Sequence, residues 1–278
     1  MALVEIPVHD YGYVHLLDSM GSDADIVDAA RISYDRQGDT KDRNLIRYLL
    51  RNGHTSPFEM GVLKFELKMP IFVARQWVRH RTASMNEVSA RYTQLPNEMF
   101  IPEVFSVQST DNKQGRGEAL DYEFPHENWV SEVRANHEAT YDLYERMLND
   151  GMSREIARGI LPFNIYTKFV WKMDLHNLMH FLSLRLDSHA QQEIRDFAYP
   201  IEEIVSNLFP ITHEAFVDYV RDAYTCSRME IKVLQELAWM YWDLGDGDLS
   251  MDLYCKDLGM SQREIGDFNK RFMPNGGK

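Results

Sequence analysis

The stretch "RHRTASMNEVSARY", residues 79–92, holds Arg79, His80, Arg81 and Arg91 beside Ser84, Asn86, Glu87 and Ser89, with little to pack. A core segment repeats apolar residues at a period of 2 or 3.6, and a turn carries Gly or Pro. This segment instead gathers hydrogen-bond donors suited to anions. The planar fork of an arginine matches a phosphate group, and serine hydroxyls and backbone amides complete such a pocket. Cations that follow a helix also complement its dipole, which accounts for one or two of these residues. It does not account for Arg91 or for the polar run before it. A phosphorylated ligand is the expected occupant.

Other residues could join that chemistry. Arg75 and Arg79 are one turn apart in "PIFVARQWVRHR", with Gln76 beside them and Arg81 closing the segment. Arg158 in "REIARGILP" and Arg185 in "LSLRLDSHAQQE" stand among apolar neighbours on predicted helices. Each must pair with an acid or face a cleft, because an unpaired buried charge is costly. Taken singly, a structural ion pair with Glu155 or Asp187 is the simpler reading. His176 and His180 in "HNLMH" have the spacing of two metal ligands, but Asn177 stands where a zinc protease needs Glu, so no metal is expected. Neither common glycine-rich phosphate loop occurs, nor does a G-x-S-x-G elbow. Cys226 and Cys255 fit no metal or redox spacing, which agrees with a reducing cytoplasm.

The elements that must position these residues are legible from periodicity. "VLKFELKM" turns Leu63, Phe65, Leu67 and Met69 one way and Lys64, Glu66 and Lys68 the other, the pattern of a half-buried strand. "IYTKFVWKM" alternates likewise. Helices are predicted over "SDADIVDAARISYD", with Ser22 or Asp23 as cap, and over "KDRNLIRYLLRNGH", stopped at Asn52-Gly53. Pro70 suits the first turn of a helix running to Arg81. "STDNKQGRGEA" reads as a surface loop, and "ENWVSEVRANHEATYDLYERMLND" as a long helix ending at Gly151. Ser153 and Glu155 open a short helix running to Pro162. Asp174 can cap "LHNLMHFLSLRL", and the helix over "SHAQQEIRDFAYPIEEIVSNLF" should bend at Pro200. Beyond these come the apolar helix "IKVLQELAWMYWDL", a turn at "GDGD" and the polar-faced helix "SQREIGDFNKRF".

Helices outnumber strands, so the fold class is α+β: a small antiparallel or mixed sheet packed with several long helices, plus a C-terminal helical extension. The expected division is 1–224 for a catalytic domain and 225–278 for the extension. The chain of 278 residues is 44% hydrophobic and 26% charged, enough for a real core, with a net charge of −13. That charge argues against nucleic acid, whose affinity rests on neutralising phosphates. A cationic cluster inside so acidic a chain concentrates positive potential locally. The start lacks a basic region followed by an apolar run, and no stretch approaches the ~20 apolar residues that span a bilayer. A soluble cytoplasmic protein without membrane contact is expected.

Arg79-His80-Arg81, seven residues, then Ser89 reproduces R-H-R-x7-S, and the chain thereby resembles the flavin-dependent thymidylate synthases. "AARISYD", "GHTSPFE", "PIFVARQWVRHR", "NEVSARY", "REIARGILP" and "LRLDSHAQ" are similar to blocks of that family in the same order, over roughly residues 10 to 222. The resemblance implies conversion of dUMP to dTMP with 5,10-methylenetetrahydrofolate as carbon donor and FAD as redox carrier, reduced by NADPH. It also explains why no cysteine nucleophile is needed.

By the same resemblance, Arg79, His80 and Arg81 would hold FAD, with Ser56, Asn86, Glu87, Asp174, His176 and His180 completing its site. His54 would lie by the flavin ring. Gln76, Arg79, Glu87, Ser89, Ala90 (through its N–H), Arg91, Arg158 and Arg185 would bind dUMP. Arg185, Ser89 and His54 would be the catalytic set, with Arg185 polarising the uracil. The chain departs from some relatives in carrying Asp174 for Asn and His176 for Arg. A homotetramer with sites at subunit interfaces is implied. The alternative is a noncatalytic nucleotide- or flavin-binding protein of the same fold, which retention of Arg185, Ser89 and His54 together opposes.

Overall fold

In a computed structural model, residues 5–32, 42–110, 113, 115–120, 126–243 and 251–272 are described. The main sheet contains β1 (Glu5–Val8), β2 (Gly12–Met20), β3 (Val62–Pro70), β4 (Ser84–Glu87) and β7 (Tyr166–Asp174). A separate hairpin is formed by β5 (Ser106–Gln108) and β6 (Arg116–Ala119). The strand order is β1-β2-β3-β7-β4, and every neighbouring pair is antiparallel. Of the two patterns that sequence left open, the sheet is therefore the purely antiparallel one.

Strand β3 is central because its alternation is complete. Leu63, Phe65, Leu67 and Met69 are fully buried, while Lys64, Glu66 and Lys68 face the other side. Opposite it, β7 buries Phe169, Trp171 and Met173 on the same face. That face is covered by α3 (Ile71–Trp77), α6 (Leu175–Arg185) and α7 (Gln192–Leu208), which contribute Trp77, Phe181 and Phe197 to one hydrophobic core. Gly12 opens β2 where α7 approaches closely: a Cβ there would meet the Phe197 ring at 2.8 Å. Burying each such large side chain contributes roughly 1.5–3 kcal/mol, so the sheet and these helices form one unit.

The remaining helices of this body are α1 (Asp23–Arg31), α2 (Asp42–Arg51), α4 (His126–Asn149), α5 (Arg154–Ala157) and α8 (Pro210–Phe216). Gly53 ends the turn after α2 at φ 69°, and Gly151 does the same after α4 at φ 86°, as their positions in sequence imply. Pro200 is buried within α7. Ser22 stands at the N-cap of α1 but makes no capping bond with its side chain. Asp23 instead caps a distant helix, accepting from the Ile211 and Thr212 amides at 2.8 and 3.0 Å.

Several expectations are corrected. The helix after Pro70 stops at Trp77, so Arg79, His80 and Arg81 follow it in a turn. Ser84–Glu87 is an edge strand, held by pairing with β7. The expected loop at 109–119 includes strand β6, and residues 111, 112 and 114 lie outside the described ones. The helix opened by Ser153 is only Arg154–Ala157, followed by a 3-10 turn at Arg158–Ile160. The end of "AARISYD" and the "GDGD" turn also lie outside the described residues.

The chain divides into two compact units, Met1–Arg221 and Asp222–Lys278. The second comprises α9 (Arg228–Asp243), α10 (Met251–Asp257) and α11 (Gln262–Phe272), of which α10 has no counterpart in the sequence reading. Capping boxes start α9 and α11. The Ser227 and Ser261 amides donate to Glu230 and Glu264, whose amides donate back to the serine hydroxyls. Cys255 of α10 and Glu264 and Ile265 of α11 are buried. Among the described residues no helix is long and apolar enough to cross a membrane.

Candidate active site

Two clusters gather most of the candidate residues. The first is an open cleft of about 770 Å³ beside β4 and the N-terminal end of α3. Glu87, Ser89, Ala90, Arg91 and Arg158 all line it, with Ile71, Leu161 and Pro162 as an apolar wall. Antiparallel pairing brings Glu87 opposite Phe169, and the Thr167 hydroxyl donates to the Glu87 carboxylate at 2.6 Å. Thr167 is buried and was not singled out from sequence; a polar residue at an inward position of β7 was the available signal.

In this cleft the Arg91 amide reaches Ser89 Oγ at 3.4 Å, and the Ala90 N–H has no hydrogen-bond partner among the described residues. The Arg91 guanidinium is 3.9 Å from Glu155, a loose exposed contact worth little. Arg158 corrects its sequence reading. It is exposed on the 3-10 turn rather than buried on a helix, and it has no ion-pair partner among the described residues. The cleft thus offers two guanidinium groups, a serine hydroxyl and an open amide. That donor set suits a phosphate.

The second cluster lies at the other end of α3. Trp77 is fully buried and packs at 4.4 Å (centroids) against Phe181, which also meets the His80 ring at 4.8 Å. These aromatics hold the turn after α3 against α6. Arg185, the last residue of α6, donates from Nε to His80 Nε2 at 2.9 Å and from Nη2 to the Gln76 carbonyl at 3.2 Å. No carboxylate pairs with it among the described residues, so the ion-pair reading is overturned. Asp187 instead accepts from the amide and ring of His189, each at 2.8 Å.

Electrostatics follow from that arrangement. Burial lowers the pKa of Arg185, since nothing anionic compensates its charge. Burial, then the charges of Arg185 and His180, push His80 down to about 4. His80 is therefore neutral near pH 7. Because its Nε2 accepts from Arg185, its proton sits on Nδ1. A guanidinium has five N–H groups, of which two are engaged here, leaving three for a ligand.

The other candidates surround this second cluster or stand apart. The His180 ring is 6.4 Å from His80, and His180 is exposed; His176 is half-buried on the same helix. Asp174 caps α6, accepting from the Asn177 amide at 2.9 Å and its side chain at 2.7 Å. Arg79 and Arg81 are exposed, without a carboxylate partner among the described residues, and Asn86 is exposed on edge strand β4. Ser56 begins a 3-10 turn (Ser56–Met60), and His54 stacks on Tyr48 at 5.9 Å. No group of three potential metal ligands occurs among the described residues. Gln76, Arg79 and Arg185 do not line the cleft.

Comparison with known proteins decides the family. Residues 15–211 match the family model described as "Thymidylate synthase complementing protein". A flavin-dependent thymidylate synthase of Ehrlichia ruminantium is 46% identical over 265 residues, 94% of this chain and 85% of that protein. The chain belongs to the flavin-dependent thymidylate synthase family. A member from Thermus thermophilus is 48% identical over 235 residues, 84% of this chain and 85% of that protein. Among solved structures, the UMP/dUMP methylase PolB from Streptomyces cacaoi, bound with 5-Br UMP, superposes with a TM-score of 0.70. It is 36% identical, and the match covers 78% of this chain and 98% of that one. As a family member the chain is an enzyme that makes thymidylate with a flavin.

Proposed function

We propose that this synthase methylates dUMP reductively to dTMP, with 5,10-methylenetetrahydrofolate as carbon donor and FAD reduced by NADPH. The observation that carries the reading is Arg185: a half-buried guanidinium with no carboxylate beside it and three N–H groups to offer. An uncompensated cation in that setting stabilises negative charge developing on a ring oxygen or nitrogen. Ser89, the Ala90 amide, Arg91 and Arg158 would take the nucleotide phosphate in the cleft, and Glu87 would face its sugar.

The donor set around His80 fits a flavin dinucleotide. Arg79 and Arg81 supply free cations for its phosphates, and Asn86, Ser56, His176 and His180 supply further polar groups. Asp174 is engaged as a helix cap, so its charge is partly satisfied within the chain. When bound, reduced FAD supplies the hydride that completes the methyl group. The chain's own residues orient the pyrimidine, neutralise its developing charge and keep His80 unprotonated. His54, stacked on Tyr48, would border the flavin ring.

Neither cluster alone offers both the phosphate anchor and the ring-binding guanidinium. Ile71 and Gln76 are about 7.5 Å apart along α3, at the two ends of a rigid spacer. A homotetramer whose sites are completed by a second copy rests on the family resemblance and not on this spacing, which one nucleotide can bridge. The protein would act in the cytoplasm on small-molecule partners, without nucleic acid or membrane.

The test is a single-turnover reaction. Purified protein loaded with FAD and reduced by NADPH without oxygen is mixed with dUMP and methylenetetrahydrofolate, and dTMP is measured with flavin reoxidation. Formation of dTMP coupled to reoxidation is expected. A protein that takes up FAD and dUMP but makes no dTMP would be a binding protein of the same fold.

A further inference from the structure

Gln76 begins a chain of hydrogen-bonded polar side chains. Its Nε2 donates to Gln191 Oε1, and Gln191 Nε2 donates to Glu193 Oε2 at 2.8 Å. The other oxygen of Glu193 accepts from Arg116 on β6. Glu193 is 4% exposed, at the start of α7. Burial pushes its pKa up, but hydrogen bonds from Arg116 and nearby groups outweigh that and hold it below the ordinary value.

An ionised carboxylate only accepts hydrogen bonds, and this imposes a direction on everything beyond it. Gln191 must turn its NH₂ toward Glu193, so its carbonyl oxygen faces Gln76. Gln76 must then turn its own NH₂ toward Gln191. Its remaining polar atom, Oε1, has no partner among the described residues. The orientation of both amides thus follows from the chemistry of Glu193. The backbone carbonyl of Gln76 meanwhile accepts from Arg185 at 3.2 Å, so the residue is pinned from both sides.

We infer that Gln191 and Glu193 are positioning residues that make Gln76 present a hydrogen-bond acceptor to the nucleotide, selecting a ligand with a donor at that point. This rests on the proposed function. A phosphate, which offers only acceptors, is excluded from facing Gln76 Oε1. The donor is either the imide N3–H of uracil or a sugar hydroxyl, and both are neutral groups on dUMP. A cytosine ring carries an acceptor at N3, so it would set two lone pairs against each other.

The experiment measures binding of dUMP, dCMP and 3′-deoxy-dUMP to the flavin-loaded enzyme by calorimetry, for the wild type, Glu193→Gln and Gln191→Leu. The analogue lacking the relevant donor binds the wild type more weakly: dCMP if the imide is read, the 3′-deoxy compound if the hydroxyl is. That penalty should shrink about tenfold in both variants, because Gln76 is then free to turn its NH₂ to the ligand. Melting temperature and flavin content accompany each measurement. Gln191 is exposed, so Gln191→Leu keeps the test alive if buried Glu193→Gln unfolds. Both penalties unchanged in folded variants overturn the inference alone. A wild type that binds no dUMP overturns it together with the proposed function.

Discussion

Arg158 is exposed on a short turn beside an open cleft, whereas Arg185 is half-buried and holds His80 and the Gln76 carbonyl. Both arginines lack a carboxylate partner among the described residues, yet their surroundings differ in kind. Arg158 stays solvated, so its charge costs little to keep and its interaction with an anion is screened. Arg185 is partly desolvated and fixed by aromatic packing of Trp77 and Phe181, so its field is stronger and needs no reorganisation. In the proposed function, this difference separates capture of a nucleotide from chemistry on its ring.

The sharpest way to break that comparison is to truncate both arginines. Arg185→Ala should slow the single-turnover chemical step by roughly 10²–10³ while the protein stays folded and retains flavin. Full activity, or collapse of melting temperature with loss of flavin, would return Arg185 to a structural role. Arg158→Ala should instead weaken dUMP binding by about 10- to 100-fold, as loss of a charged hydrogen bond does, with melting temperature unchanged. Titrations at increasing salt should show a shallower dependence than in the wild type; equal dUMP affinity in the two proteins would remove Arg158 from the nucleotide site.

A smaller effect sharpens the electrostatic half of the contrast. The folded-state pKa of His80 is about 4, against about 6.5 when unfolded. Between those values the unfolded chain binds a proton that the native chain does not. Stability from this residue is therefore complete above pH 6.5 and falls as pH drops toward 4, by at most about 1.4 kcal/mol per unit. Urea unfolding at pH 7, 6 and 5 should show this slope in the wild type and lose it in His80→Asn. Identical slopes would mean His80 titrates normally. The smallest expected effect is at Cys226, which is exposed and outside both clusters. Cys226→Ala should leave dTMP formation and stability unchanged, within about 0.5 kcal/mol for the latter; lost activity with preserved fold would demand a cysteine mechanism.

The central strands were legible because alternation in β3 and β7 reports directly which face is buried. The edge strand β4 was not, since "SMNE" has one half-buried residue and no apolar face; its extended form comes from pairing with β7. Helix α3 was overextended for the opposite reason. Arg79 and Arg81 have good helical propensity, but packing around Trp77 and the Arg185–His80 bond favour a turn there. Gln191 and Glu193 carried only a weak signal, two polar residues entering an amphipathic helix, and Arg116 lay in a stretch read as loop.

By itself, sequence determined the class of fold, most helices, the family and the residue types available to an anionic ligand in the proposed function. These depend on local periodicity, capping and motif spacing, which neighbouring residues decide among themselves. Only tertiary structure decided which cation stays free and which acceptor each donor meets. Arg185 meets His80 across 105 residues, and Gln76 meets Gln191 across 115. Hydrogen-bond direction and desolvation are properties of such meetings, so Arg185 could look like half of an ion pair in the chain and stand uncompensated in the fold.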